Sequence, residues 1–160
     1  MKAKTAVSKW KHKYPREYAK KLIDVLGEPD EITSKRLIWT GKGAKKAKAK
    51  RIMIVDESVK HEFPADHRDY VYTTKTMEVP HKLHSVFAYV TGSIIIDGLK
   101  KEVTARCGKL VANGVTLGFV EDVKKGKVSK EPKKAKKEYA RRINAHDVPN
   151  WYKDVFGDEV

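Results

Sequence analysis

The sequence predicts an α+β fold: an N-terminal helix on a small three-stranded antiparallel sheet, followed by a helical C-terminal half. Three observations predict it. Tyr18, Leu22, Val25 and Leu26 recur at the spacing of one helix face. Three runs rich in β-branched and aromatic residues follow, "KRLIWT", "RIMIVDE" and "DYVYTTKTMEV". Beyond Pro80 the apolar residues again fall three or four apart.

Each element has a local cause. The first fourteen residues are poor in apolar side chains and rich in lysine, which predicts a basic flexible arm over 1–14. A single domain then spans 15–160, with a sheet part at 15–79 and a helical part at 80–160. Pro15 suits a first helical turn, where the missing N–H is not needed. "GEPD" ends that helix, because Gly27 tolerates a left-handed C-cap and Pro29 cannot continue it. The tract between Trp39 and Ile52 joins two strands as a hairpin, and Tyr70, Tyr72, Thr74 and Thr76 alternate along the third. Residues 81–90 suit a short helix. Ile96, Leu99, Val103, Cys107, Leu110, Gly114 and Leu117 predict a helix to about residue 123. A hairpin around Asp97-Gly98 is the rival for the first part of that stretch. Gly126 stops the run. "SKEPKKAKKEYARRI" starts a further helix with Ser129 as N-cap and Pro132 in its first turn. Asp147 or Asn150 caps a last short helix holding Trp151, Tyr152, Val155 and Phe156.

Charge is the strongest functional signal. The chain of 160 residues has a net charge of +14, and that charge is segregated. Segments 1–21, 41–51 and 124–142 hold 24 of the 35 basic residues against three acids, a net +21, while the remaining 109 residues sum to −7. A mildly acidic body with basic extensions predicts a surface that meets polyanions. The expected partner is nucleic acid, DNA or RNA, held through its phosphates with little sequence preference. The contacts fall to Lys42, Lys45, Lys46, Lys48, Lys50 and Arg51, read as a flexible finger with Gly and Ala spacers, assisted by Lys133, Lys134, Lys136, Lys137 and Arg141. A solvated hairpin tip that only discourages sheet-edge pairing is the plainer reading of the same tract.

Other classes find less support. "GKGAKK" follows a strand, and no Ser or Thr comes after its lysine, so it is no P-loop. No uninterrupted apolar stretch approaches a membrane span, and no apolar segment follows the basic N-terminus to make a signal peptide. Lone Cys107 fits a reducing cytoplasm and reads as a structural thiol on an apolar helical stripe. No cofactor is expected. The one region with the chemistry of a reaction centre is "KHEFPADHRDY" with "VPHKLH". There His81 and His84 share a helical face, and His61 or His67 could complete a divalent-metal set. A metal beside a basic surface would suit phosphodiester hydrolysis.

The stretches "LGEPDEITSKRLIW", "HEFPADHRDYVY" and "TARCGKLVANGVTLGFVEDV" resemble small uncharacterised proteins encoded by marine tailed phages, over about residues 15 to 145. The resemblance implies no activity and no site residues. It does imply a setting in DNA handling or in the virion, where a structural protein with basic arms against packaged nucleic acid or acidic neighbours is the alternative to a free binder.

Overall fold

The structure, a computed structural model, describes residues 2–157 and 159–160. In chain order the elements are α1 Ala3–Ser8, α2 Lys13–Leu26, β1 Glu31–Ile32, β2 Arg36–Trp39, α3 Lys42–Lys46, β3 Arg51–His61 and β4 His67–Thr76. A 3-10 turn at His81–Leu83 leads into α4 His84–Val90. Then come β5 Ile94–Asp97, β6 Glu102–Cys107, α5 Leu110–Lys124, α6 Pro132–Asn144 and α7 Asn150–Phe156.

The six strands form one antiparallel sheet in the order β1-β2-β3-β4-β6-β5. This corrects the expected three-stranded sheet and wholly helical second half; the α+β class stands. One extra strand is the short edge strand Glu31–Ile32, and the other two come from residues 94–107, where the hairpin displaces the helix. Three- and four-residue spacing there is a coincidence of composition: Leu99, which the helical stripe would bury, is 94% exposed at the turn. Asp97 Oδ1 accepts the N–H groups of Leu99 and Lys100, and Lys101 takes a left-handed φ of 54°. Such local satisfaction of backbone donors makes the turn. Ile94, Ile95 and Ile96 then pair with Ala105, Thr104 and Val103, as β-branched residues favour.

Helices cover one face of the sheet. Leu37, Trp39, Ile52, Ile54, Val71, Val103 and Ala105 are fully buried, and α2 and α5 pack on that side. Ile38, Met53, Val55, Tyr72 and Thr104, next along their strands, are only half-buried. Period-two alternation therefore separates a core face from an open face. The core falls into two clusters. One joins α1, α2, β2, β3 and the start of α5; the other joins α4, β6, α6 and the rest of α5. Asn113 bridges α5 to the sheet from a fully buried position, its amide donating to the Val71 carbonyl and to Thr73 Oγ1 at 3.1 Å each.

The N-terminal segment, expected to be a flexible arm, is the helix α1 laid on α2, with Ala3, Ala6, Val7 and Trp10 buried. Alanine every third residue plus Val7 and Trp10 supply an apolar stripe that the lysine count obscures. Where β3 and β4 fall out of register between Ile54 and Val59, Asp56 accepts the N–H groups of Lys11 and His12 at 2.8 and 2.9 Å. It thereby supplies negative charge and acceptors at the start of α2, which has no side-chain cap of its own. Burial pushes the Asp56 pKa up, but the two N–H groups and the His12 ring outweigh burial and hold it below 3.8.

Candidate functional site

The lysine tract is packed into the core through the short helix α3, where a thin finger standing off the sheet was expected. In residues 42–50 every lysine is exposed, while Gly43, Ala44, Ala47 and Ala49 are buried. The small residues are anchors, and the reason is steric. A Cβ on Gly43 would lie 2.6 Å from Trp39 Cδ1 and 2.8 Å from the Leu26 carbonyl. Trp39 is itself fully buried and donates through Nε1 to the Gly27 carbonyl at 2.8 Å. Ahead of α3, Asp30 accepts the N–H groups of Thr40 and Gly41, and these bonds hold its carboxyl below the usual range. Lys46 Nζ donates to the Val25 carbonyl at the C-terminal end of α2, the negative end of that helix dipole.

Sheet register places further cations beside the tract. Arg51 lies opposite Thr74, Lys75 opposite Val103, and Asp97 opposite Glu102. The tract, Lys75 and the β5–β6 turn with Lys100 and Lys101 therefore share one end of the sheet. Lys48 and Lys75 stand over the Trp151 ring of α7, at 4.8 and 5.1 Å from its centroid, and burial lowers the Lys75 pKa. Two members of the tract are partly committed: Lys50 and Arg51 both pair with Glu102, whose carboxyl is held low first by the Lys50 hydrogen bond. Among the described residues, Lys42, Lys45 and Lys48 make no ion pair with a carboxylate.

The basic segment on α6 behaves differently. Its N-cap is Glu131, whose carboxylate accepts from the N–H groups of Lys133 and Lys134; Ser129, the expected cap, instead accepts from the Glu131 N–H. Lys133, Lys134 and Lys137 are exposed. Lys136 stands over the rings of Phe63 and Tyr89. Arg141 pairs with Glu138 and Asp147, and Arg142 with Asp122 and Glu138. Arg142 thus ties α6 to α5 through Asp122, exposed Arg141 is paired with acids of its own helix and of the turn after it, and Lys133, Lys134 and Lys137 remain outward.

The four candidate histidines form two separate pairs. His81 and His84 have ring centroids 4.7 Å apart, and His84 Nε2 lies 3.1 Å from the Val79 carbonyl. His61 and His67 face each other across the β3–β4 pair at the opposite end of the sheet from the lysines, with centroids also 4.7 Å apart. Asp69, fully buried, joins this second pair: Oδ2 lies 3.1 Å from His61 Nδ1 and Oδ1 2.9 Å from His67 Nε2. Ser93 Oγ is 3.0 Å from His61 Nδ1, and Arg106 Nε is 3.6 Å from Asp69 Oδ2. Cys107, half-buried at the end of β6 and not on a helix, acts on His67. The Cys107 sulfur is the first cause that raises His67 to about 9, against desolvation and with help from the Ala65 carbonyl and Asp69. The place attracts positive charge. Asp69 was legible as a partner, since His67-x-Asp69 on a strand puts both side chains on one side. Ser93 and Arg106 arrive only through β5 and β6.

No helix among the described residues is long and apolar enough to cross a membrane. Compared with protein families, with curated proteins and with solved structures, the chain matches none.

Proposed function

We propose that the protein binds nucleic acid through phosphate contacts, largely independently of sequence, with the 42–51 tract as its principal contact and no catalysis required. The observation that supports this most is the division of labour within 42–50: small residues anchor the backbone, and all the lysines are left in water. Charges on a backbone packed into the core lose less freedom on meeting a polyanion than charges on a loose loop. Lysine ammonium groups are compact point charges suited to phosphate and poor at reading bases. Lys75, Lys100 and Lys101 widen the ridge along the same sheet end, while Lys133, Lys134 and Lys137 form a second, smaller patch. The setting that goes with this reading is the cytoplasm or a virion, as lone Cys107 and the basic composition support.

Fluorescence anisotropy with duplex and single-stranded oligonucleotides across salt tests the proposal. Binding should weaken by a similar factor for unrelated sequences as salt rises. Replacing Lys42, Lys45, Lys46, Lys48 and Lys50 together by Gln should flatten the dependence, each lost duplex phosphate contact removing about 0.9 from the logarithmic slope. An unchanged slope would mean that the ridge is only a solvated surface.

A further inference from the structure

The geometry points to a divalent-cation site at the opposite end of the sheet, built from His61 Nδ1, His67 Nε2 and the Asp69 carboxylate, with zinc the best-matched ion. It stands independently of the nucleic-acid reading.

A carboxylate with no exposed surface needs partners, because burying an unpaired charge is among the most costly arrangements in a folded chain. Asp69 is fully buried, and neither of its oxygens accepts a hydrogen bond; His67 Nε2 and Arg106 Nε are likewise buried without one. The close approaches around it are not aligned for a proton. His67 Nε2 and Asp69 Oδ1 stand 2.9 Å apart, yet no hydrogen bond joins them. Meanwhile His67 Nδ1 lies 2.7 Å from the Ala65 carbonyl. A carbonyl only accepts, so Nδ1 keeps its hydrogen, and Nε2 is the nitrogen that gives up its proton and turns its lone pair to an incoming ion. A backbone carbonyl that fixes the tautomer of an imidazole in this way is the usual support of a metal-bound histidine. The nearby guanidinium does not fill the gap. Arg106 Nε is 3.6 Å from Oδ2, beyond an ordinary hydrogen bond, and its guanidinium leans over the Tyr72 ring.

The donor spacing fits a metal. One donor atom from each of the three residues lies within 4.8 Å of the others, and the two Asp69 oxygens approach the imidazoles separately, Oδ1 to His67 at 2.9 Å and Oδ2 to His61 at 3.1 Å. Zinc bonds of about 2.0–2.1 Å to nitrogen and oxygen in a tetrahedron place neighbouring donors about 3.3 Å apart, so small side-chain rotations complete the set. Two imidazoles and one carboxylate suit a first-row divalent ion, whereas magnesium and calcium prefer all-oxygen shells. Three protein donors leave a fourth position. A cavity of about 310 Å³ between the β3–β4 turn and α6, lined by Asp66, His67, Cys107, Tyr139 and Asn144, gives solvent a route to it. The Cys107 sulfur lies outside the donor group and is not a ligand here.

The test is zinc binding to the full chain after chelator treatment, by calorimetry and by metal analysis after dialysis. One equivalent per chain is expected, together with a rise in melting temperature that magnesium does not reproduce. Asp69→Asn and His67→Gln should each weaken binding at least about a hundredfold while circular dichroism stays native. Cys107→Ser and the double variant His81→Gln/His84→Gln should bind as the parent does, and the cobalt form should lack a thiolate charge-transfer band. Should Asp69→Asn fail to fold, His67→Gln and the zinc-dependent melting of the parent chain decide. Absence of saturable zinc binding by the parent overturns the inference. So does parental affinity in folded His67→Gln, or loss of binding on replacing Cys107.

Discussion

The two ends of β3 treat charge in opposite ways. At its start, beyond Trp39, cations are numerous and the lysines all face water; the fold spends its small residues on anchoring the backbone. At its end, beyond Val59, acids and bases are mixed and nearly cancel, and one carboxylate is wholly buried among two imidazoles and a guanidinium. An exposed ion pair is worth about 0–1 kcal/mol, whereas a buried charge that loses its partner costs about 3–5 kcal/mol. The region with the most net charge therefore depends least on electrostatics for its shape. The lysine end is shaped by Trp39 and Gly43, and Lys42, Lys45 and Lys48, which pair with no carboxylate among the described residues, keep their charges for a partner. The histidine end is shaped by the charges themselves.

The largest expected effect challenges the first half of that contrast. Trp39→Ala should lower stability in urea unfolding by about 3–5 kcal/mol, because a fully buried indole and its bond to Gly27 are lost together; a cost below about 1 kcal/mol would mean the ridge is not anchored as described. Gly43→Ala should follow with about 1–3 kcal/mol, the cost of forcing a methyl into an occupied site, and it should weaken oligonucleotide binding although no charge changes. Next comes acid sensitivity. Because Asp56 titrates below its ordinary 3.8 in the folded chain, its contribution is complete above that value and is lost as the pH falls through the folded value. Asp56→Asn should therefore lower stability near neutral pH and flatten the acid limb of stability against pH; an unchanged limb would remove Asp56 as the partner of the α2 start. Smallest for stability is Lys48→Gln, expected within about 0.5 kcal/mol of the parent, yet it should reduce the salt slope of duplex binding by about 0.9. A stability loss without a slope change would reverse the contrast between the two ends.

Much of the architecture was written locally. The stripe of Tyr18, Leu22 and Leu26 is α2, and Gly27 ends it with a φ of 84°. β2, β3 and β4 lie where β-branched and aromatic runs placed them, and the segment with Pro132 in its first turn is α6. Residues 94–107 were misread because a stretch with both helical spacing and β-branched content is locally ambiguous. Pairing β6 against β4 resolves it, through the contacts of Val103 with Lys75 and of Cys107 with Val71. The N-terminal helix was hidden for a related reason: lysines crowd the segment around it, at positions 2, 4, 9, 11 and 13, while its burial rests largely on alanines that carry little hydrophobic signal.

By itself the sequence determined how many charges the chain carries, where along it they cluster, and which periodic segments become helices or strands. Those are properties of neighbours in the chain, set by side-chain volume, backbone preference and hydropathy. Only the tertiary structure decided which lysines stay in water, which arginines are consumed by Glu138 and Asp122, and that His61, His67 and Asp69 meet across a strand pair. Such outcomes depend on burial and on distances between residues remote in sequence. Solvation and Coulomb energies change severalfold with both, so equal charges in one chain can become a surface ridge at one end of a strand and a buried cluster at the other.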